Sequence, residues 1–261
     1  MTSEAAVRLA AFAAAAAVLL VAEAVCPRRT DQRRRTRWPN NFGVLIVDVL
    51  AARLVLPAGL VGVALIAETR GWGLFRIVQA PVPVATVLTF FLLDLAVYAQ
   101  HVLLHAVPAL WRLHRMHHTD VAFDATTGVR FHPAEIVLSL ALKGAAVAAL
   151  GAAPAVVLVF EVVLNVTSMF SHANIRLAGP LDRALRTVLV TPDMHRVHHS
   201  PAPVETNSNY GFNVPWWDYL FGTYRAQPQV PHDAMTIGLD EFRDAREQRL
   251  PQLLTQPFRR G

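Results

Sequence analysis

Charged residues are scarce in this chain of 261 residues. They make up 16% of the sequence, and 54% of it is hydrophobic, whereas an ordinary soluble domain is about 25% charged. Several nearly uncharged stretches are long enough to cross a bilayer. This combination excludes a disordered chain and a typical water-soluble enzyme, and it indicates a polytopic membrane protein.

Cysteine and lysine are almost missing. The single cysteine, Cys26, cannot form an intrachain disulfide, which excludes a disulfide-stapled secreted domain. All but one of the 24 basic residues are arginines, and the formal net charge is +5. Because many of these arginines flank apolar segments, they indicate membrane topology rather than nucleic-acid binding.

The amino-terminal region, residues 1–80, is predicted to hold two transmembrane helices. The first apolar stretch runs from Val7 to Val25 and precedes an arginine-rich segment, 28–37, which we expect to be a cytoplasmic loop. A cleaved signal peptide ending near Ala24 is the competing interpretation. The second stretch, 44–66, contains Pro57 near its middle and is predicted to cross with a kink.

A catalytic region over 81–225 and a polar tail over 226–261 complete the predicted organisation. The third apolar segment, 82–100, leads into the first histidines, and two shorter ones, 136–150 and 155–170, are separated by a Gly-Ala-Ala-Pro turn. We therefore predict an all-α, polytopic membrane helical bundle of about three spans plus a short helical hairpin. A cytoplasmic helical cap would carry the histidines.

Ten of the eleven histidines lie within residues 101–199. His101 and His105 are spaced i, i+4, and two further groups are spaced i, i+3, i+4. On a helix each group presents its imidazoles on one face. We call the three groups the histidine boxes: His101 and His105; His114, His117 and His118; His195, His198 and His199.

The boxes, together with His172, supply enough imidazoles to bind two metal ions. One such pair alone is more often an ordinary packed pair, but three at predicted membrane edges favour metal binding. Imidazole suits Fe, Zn, Cu and Ni, and a site this poor in carboxylates excludes Ca and Mg. For the third box, Thr191-Pro192-Asp193 predicts the start of a short helix.

Other polar residues have less decided roles in the sequence. Asp94 lies on the helical face of His101 and either orients a histidine or pairs with Arg53. His132 precedes Pro133 and either serves the metals or anchors the start of a helix. His232, in a proline-flanked stretch, is predicted to be a solvated loop residue.

The order of these motifs resembles the fatty acid hydroxylase and sterol desaturase superfamily of membrane di-iron enzymes. The resemblance covers about residues 85–225, and the three-residue gap in the first box is similar to the sterol desaturase and alkylglycerol monooxygenase branches. The segments that carry it, besides the boxes, are Phe131-His132-Pro133, Ser171-His172-Ala173-Asn174, Asn207-Ser208-Asn209-Tyr210-Gly211 and Trp217-Asp218-Tyr219-Leu220-Phe221-Gly222-Thr223.

The resemblance implies two iron ions per chain, held by the nine histidines, that use O2 to hydroxylate or desaturate a membrane lipid. Electrons would come from a separate ferredoxin-type or cytochrome-type protein, since the chain has no dinucleotide-binding fingerprint. An unactivated C–H bond requires such a redox cofactor. Asn209 could bond near the metals, and Asp218 could orient a histidine or serve structure.

Two other functions use the same residues differently. A membrane zinc hydrolase would need three ligands and a catalytic carboxylate, and no box contains a glutamate. A haem electron carrier would need isolated histidines on facing helices rather than adjacent pairs.

Overall fold

The computed structural model describes residues 3–30 and 33–260, so residues 31 and 32 of the arginine-rich segment lie outside the described residues. Within them the chain is helical, and no strand is formed. The helices are α1 Ser3–Val25, α2 Arg34–Val55, α3 Gly59–Thr69, α4 Leu74–Ile77, α5 Val82–Ala106, α6 Pro108–His118, α7 Pro133–Leu150, α8 Pro154–Ser171, α9 Gly179–Leu185, α10 Pro192–His198, α11 Pro203–Thr206, α12 Trp216–Leu220 and α13 Leu250–Thr255.

Five helical segments in the described residues are long and apolar enough to span a membrane: α1, α2 to α4, α5, α7 and α8. Their outward side chains are apolar, such as Leu54, Ile77 and Val82, which are 84%, 77% and 78% exposed. Such exposure suits contact with lipid tails rather than with water. The prediction of an all-α bundle with several membrane-spanning helices is confirmed.

The predicted kink in the second apolar stretch is a complete break. Helix α2 ends at Val55 and α3 begins at Gly59, with Pro57 between them. Proline removes a backbone donor and clashes with the preceding turn, and Gly59 adopts φ +64°, which favours glycine. Arg53, near the end of α2, donates to the Pro57 carbonyl at this break.

The short hairpin consists of α7 and α8. Gly151 ends α7 with φ +70°, and a Cβ there would lie 2.5 Å from the carbonyl oxygen of Trp72. The first box lies at the end of α5. Helix α7 begins at that same end of the bundle, and α8 ends there. All the histidine boxes therefore lie at the same end.

The membrane core forms where α3, α5, α7 and α8 meet. Its buried residues are Leu60, Val61, Ala64, Leu93, Val97, Val147, Ala152, Val157 and Phe160. Helix α1 packs separately on α8, through a cluster that includes Leu19 and Met169. This arrangement leaves room between α1, α2 and α7.

The short helices α6 and α9 to α13 form a cap over one end of the bundle. The arginine-rich segment is not all loop: α2 starts at Arg34, and Arg37 is fully buried between the carboxylates of Asp120 and Asp124. The segment 226–261, predicted as a polar tail, contributes the fully buried Leu253 and Gln256. Gln256 accepts from the Thr119 hydroxyl at 2.8 Å, so this segment packs onto the helix of the second box.

Candidate metal centre

The first two histidine boxes are joined by a sharp helix break. Helix α5 carries His101 and His105 and ends at Ala106, and α6 begins at Pro108, which fixes the backbone angle of a first helical turn. The helix start turns the chain so that the second box faces the first. The imidazole rings of His101 and His114 are 4.9 Å apart between centroids.

The third box begins where the sequence predicted a helix start. The Thr191 side chain caps α10 by accepting from the Met194 amide, with Pro192 in the first turn. This confirms the predicted N-cap. His172 follows the last residue of α8 and lies against His195, with ring centroids 4.4 Å apart.

The nine histidines converge in two groups. In each group one nitrogen from every imidazole lies within 4.8 Å of all the others, so each group could hold a metal ion. The first group contains His101, His105, His114, His118 and His198, and the second contains His117, His172, His195 and His199. The groups are adjacent, since His118 stacks on His199 at 4.5 Å.

Hydrogen bonds on the outer edge of the rings fix their orientation. The Nδ1–H groups of His101, His117 and His198 donate to the backbone carbonyls of Tyr210, Arg130 and Ser208, at 2.8, 3.1 and 2.7 Å. His172 donates in the same way to Ser168 at 2.7 Å. Each bond leaves the Nε2 lone pair pointing inward, as in metal-binding histidines.

The inward-facing ring nitrogens lie close to one another, with no hydrogen-bond donor among them. Nε2 of His172 lies 3.1 Å from those of His117 and His195, and 3.2 Å from that of His199. Burial and then the neighbouring imidazoles hold the pKa of His117, His118 and His199 well below the usual value. The pKa of His172 falls to about 4, chiefly through burial. These rings are therefore neutral, the form that binds metal.

Several ring nitrogens are buried without a hydrogen-bond partner in the described part of the chain. They are Nε2 of His105 and His198, Nδ1 of His195 and His199, and both nitrogens of His118. A buried polar atom left unpaired costs about 1–3 kcal/mol. A metal ion in each group would satisfy the inward-facing atoms, and borderline first-row ions fit an all-imidazole donor set.

Glu135 was missed by the sequence reasoning because it stands outside the boxes. Its Oε1 accepts from His114 Nδ1 at 2.8 Å, and both residues are buried. A carboxylate on the outer nitrogen raises the basicity of a ligand imidazole and fixes its orientation. The signal that could have found it is its position three residues after His132, in the first turn of α7.

The polar residues expected to support the metals take different positions. Asp94 contacts neither a histidine nor Arg53 and instead accepts from Trp217 Nε1 at 2.8 Å. His132 lies outside both groups: its Nδ1 caps α7 and its Nε2 donates to the Leu254 carbonyl. It anchors the start of a helix, which was one of the two predicted roles.

Asn209 and Asp218 hold the segments on which box residues rest. The Asn209 amide donates to the Met194 carbonyl in α10 at 2.8 Å. Asp218 accepts from the amides of Tyr210 and Gly211 at 2.8 and 2.9 Å, and the Tyr210 carbonyl accepts the hydrogen bond from His101 Nδ1. Asp218 therefore acts on His101 through the backbone rather than by direct contact.

The expectation that His232 is a solvated loop residue is wrong. His232 is 5% exposed and lies 3.9 Å from Asp193 in the first turn of α10. Burial lowers its pKa to about 4, helped by the positive charge of Arg196 and opposed by Asp193. Its surroundings come from segments distant in the sequence, which explains why the local composition gave no sign of burial.

A cavity of about 610 Å³ leads from the first histidine group into the membrane bundle. His101 and His114 lie at one end, and apolar side chains such as Phe12 and Leu104 form much of its wall. It is bounded by α1, α2, α5, α7 and α8. Two histidines of the first group therefore line a cavity within the membrane bundle.

Comparison with known proteins identifies one family model and several similar proteins. A family model described as fatty acid hydroxylase matches residues 86–223. An ornithine lipid hydroxylase from Rhizobium tropici is 33% identical over 152 residues, which are 58% of this chain and 45% of that protein. An alkylglycerol monooxygenase from Xenopus tropicalis is 29% identical over 66% of this chain and 38% of its own length.

The chain spans less than half the length of these curated relatives. No solved structure matches it. The family match nevertheless covers more than half of the chain and includes all nine histidines of the two groups. The resemblance seen in the ordered boxes is thereby confirmed, and the chain belongs to the fatty acid hydroxylase family.

Proposed function

We propose that this protein is an iron-dependent membrane oxygenase that hydroxylates an unactivated C–H bond of a lipid with O2. The observation that carries the proposal is the pair of adjacent imidazole groups at the end of a membrane cavity. One oxygen atom of O2 enters the C–H bond and the other leaves as water, with two electrons and two protons consumed. The proposal is hydroxylation rather than desaturation because the relatives are named as a hydroxylase and monooxygenases.

Two iron ions, one in each histidine group, would supply the redox chemistry that amino-acid side chains lack. The residues of the chain have separate tasks around them. Five imidazoles would hold one ion and four the other, and Glu135 orients His114. The apolar cavity wall binds the lipid and keeps water from the reacting carbon.

The two electrons are proposed to come from a separate protein that docks on the cap. The histidines lie at the end of the bundle where polar segments cover them, so electrons need not cross the membrane core. A zinc hydrolase is less well supported, because five and four converging nitrogens exceed the three protein ligands that such a site typically uses.

Turnover with isotopic oxygen tests the function. The full chain, purified in detergent and loaded with Fe(II), is incubated with a bacterial lipid extract, a ferredoxin and its reductase, under 18O2 or under 16O2 in H2 18O. We expect a lipid product 18 mass units heavier under 18O2, and no label from water. A product labelled only from water would contradict an oxygenase, and the His118→Ala variant is the negative control.

The cap is proposed to face the cytoplasm, as the arginine-rich segment indicates. Single cysteines are introduced at the exposed Arg35, Asp240 and Arg70, in a Cys26→Ser background. We expect the first two to be protected from a membrane-impermeant maleimide in intact cells and Arg70→Cys, at the other end of the bundle, to react. The reverse pattern would contradict the cytoplasmic site.

A further inference from the structure

The metal centre comes closest to the protein surface at one histidine. Of the nine imidazoles, eight are buried and only His105 is partly exposed. The ring of Trp111, itself half-buried, covers His105 at 4.8 Å between ring centroids and also contacts His118 at 5.3 Å. Both histidines belong to the first imidazole group. Trp111 therefore lies between the surface and that group.

Trp111 is held in place differently from other tryptophans of the cap. The indole N–H of Trp217 donates to Asp94 at 2.8 Å, and that of Trp216 donates to a backbone carbonyl at 2.7 Å. The indole N–H of Trp111 has no acceptor in the part of the chain that the structure describes. Its contacts with the imidazoles set its position instead, and its N–H can donate to a partner.

The surface beside Trp111 carries unpaired positive charge. Arg112, exposed on α6, donates to the backbone carbonyls of Pro257 and Arg259 at 2.6 and 3.4 Å and has no carboxylate partner among the described residues. Arg260 follows in that segment, is exposed, and forms no ion pair within residues 3–30 and 33–260. Together with Phe258, which is 72% exposed, these residues form what we call the entry patch: Trp111, Arg112, Phe258 and Arg260.

Carboxylates in this part of the cap are already paired with other arginines. Glu247 lies 2.7 Å from Arg259, and Glu241 lies 3.3 Å from Arg115. The entry patch therefore keeps two positive charges around exposed aromatic rings. Such charges steer an oppositely charged protein into contact, and the interfaces of electron-transfer proteins are typically small and weak.

From these contacts we propose that the entry patch docks a small acidic electron-transfer protein, and that Trp111 conducts its electrons to the ion held by the first imidazole group. Each reduced carrier gives up one electron and leaves oxidised, so two dockings supply the two electrons that hydroxylation consumes. Electron transfer weakens steeply with distance, and a docked carrier would lie closest to the metal centre beside His105. The inference rests on the proposed function and adds where the electrons enter and which charge the carrier has.

Binding of electron carriers to the metal-loaded full chain tests the docking surface without turnover. A plant-type [2Fe–2S] ferredoxin is the acidic probe, and cytochrome c is the basic one. Each is titrated calorimetrically in a neutral maltoside detergent at low ionic strength. We expect ferredoxin to bind about ten times more tightly than cytochrome c, and added salt to weaken its binding.

Arg260→Glu should weaken ferredoxin binding about tenfold, because it reverses a charge that has no partner within the described residues. The matched control is Arg183→Glu, which makes the same charge change on α9 and should bind ferredoxin as the wild type does. Unchanged affinity in Arg260→Glu would overturn the docking surface; a patch that contacts only anionic lipid headgroups would give that result. An equal loss in Arg183→Glu would also overturn it, since net charge alone would then explain the binding.

Stopped-flow oxidation of reduced ferredoxin tests the route through Trp111, with the chain loaded with Fe(III) and without O2. Trp111→Leu should lose most of this rate at saturating ferredoxin, whereas Trp111→Phe, which keeps a ring against His105, should retain much of it. Dithionite, a small reductant that needs no docking, should reduce the wild type and both variants at the same rate.

A full ferredoxin rate in Trp111→Leu would overturn the route. An equal loss of rate with dithionite would also overturn it, because Trp111 would then only support the metal site. If Trp111→Leu has a lowered metal content, Trp111→Met, which fills more of the space, replaces it.

The outcomes separate this inference from the proposed function. Ferredoxin that docks on the entry patch and is oxidised by a protein yielding no oxygen-labelled product would contradict only the oxygenase. Oxygen-labelled product formed at the wild-type rate by both Arg260→Glu and Trp111→Leu would contradict only the entry patch.

Discussion

The cap and the membrane bundle treat buried polar groups in opposite ways. In the cap the guanidinium of Arg37 is enclosed by carboxylates and donates to Asp124 at 2.7 Å, and Arg130 lies 3.3 Å from Asp120. In the bundle Asp48 and one oxygen of Glu135 lack partners in the part of the chain that the structure describes. The paired charges of the cap tie distant segments together, whereas these carboxylate oxygens of the bundle tie nothing. The imidazoles of the histidine boxes combine both patterns. Their outer nitrogens donate hydrogen bonds to backbone carbonyls, and inward-facing nitrogens such as Nε2 of His198 have no partner in the described residues.

The largest effect is expected from removing an inward imidazole. His118→Ala should abolish hydroxylation and lower the bound metal, because both ring nitrogens lack any other partner in the described residues. The same loss is expected for each of the other eight histidines. Metal content by mass spectrometry, at matched membrane expression, is the measurement. His132→Ala removes an imidazole outside both groups and should retain the metal; three or more box variants with full metal and turnover would show that the boxes are structural.

Removing one partner of the buried ion pairs in the cap should lower the stability of the cap rather than alter metal binding directly. Arg37→Ala leaves Asp120 and Asp124 buried without their main counter-charge, and loss of one partner of a buried ion pair costs about 3–5 kcal/mol. Denaturant unfolding in detergent measures the change. The exposed neighbour Arg35→Ala should shift it by less than about 0.5 kcal/mol. Equal effects of the two variants would contradict a structural role specific to Arg37.

Glu135 has one paired and one unpaired carboxylate oxygen. Its Oε1 accepts a hydrogen bond from His114, and its Oε2 has no partner in the described residues. Glu135→Gln weakens the hydrogen bond that orients the imidazole, so we expect metal affinity to fall about 10–100-fold. Competition with a metal chelator measures that affinity. Glu161→Gln, which alters the carboxylate paired with Arg8, should leave it unchanged, and wild-type affinity in Glu135→Gln would contradict the assigned role.

The smallest effect concerns His232, a buried but uncharged member of the cap. Its pKa is about 4 in the folded protein, below the usual 6.5, so its contribution to stability is complete above pH 6.5 and is lost as the pH falls toward 4. His232→Gln cannot gain this proton. Its unfolding free energy relative to wild type should therefore improve on acidification, by at most about 1.4 kcal/mol per pH unit. Parallel pH profiles would argue against a buried neutral imidazole, and metal content should not change.

The sequence predicted the histidines better than their surroundings because helix spacing is a local property. The i, i+3, i+4 pattern forces His114, His117 and His118 onto one face of any helix that contains them. The contacts of Asp94 and His232 depend on residues more than 30 positions away, Trp217 and Asp193, which no spacing rule brings together. Glu135 was overlooked for the same reason: it meets His114 only after the chain turns between α6 and α7.

Local patterns are enough to predict a membrane protein with an all-α fold and histidine boxes at helical spacing, because hydrophobic length and residue periodicity act within single segments. No local pattern predicts how the nine imidazoles divide into groups of five and four, or which carboxylate oxygens stay unpaired in the bundle. Both depend on the packing of α2, α5, α7 and α8 against one another, where distances between segments are set by the whole bundle.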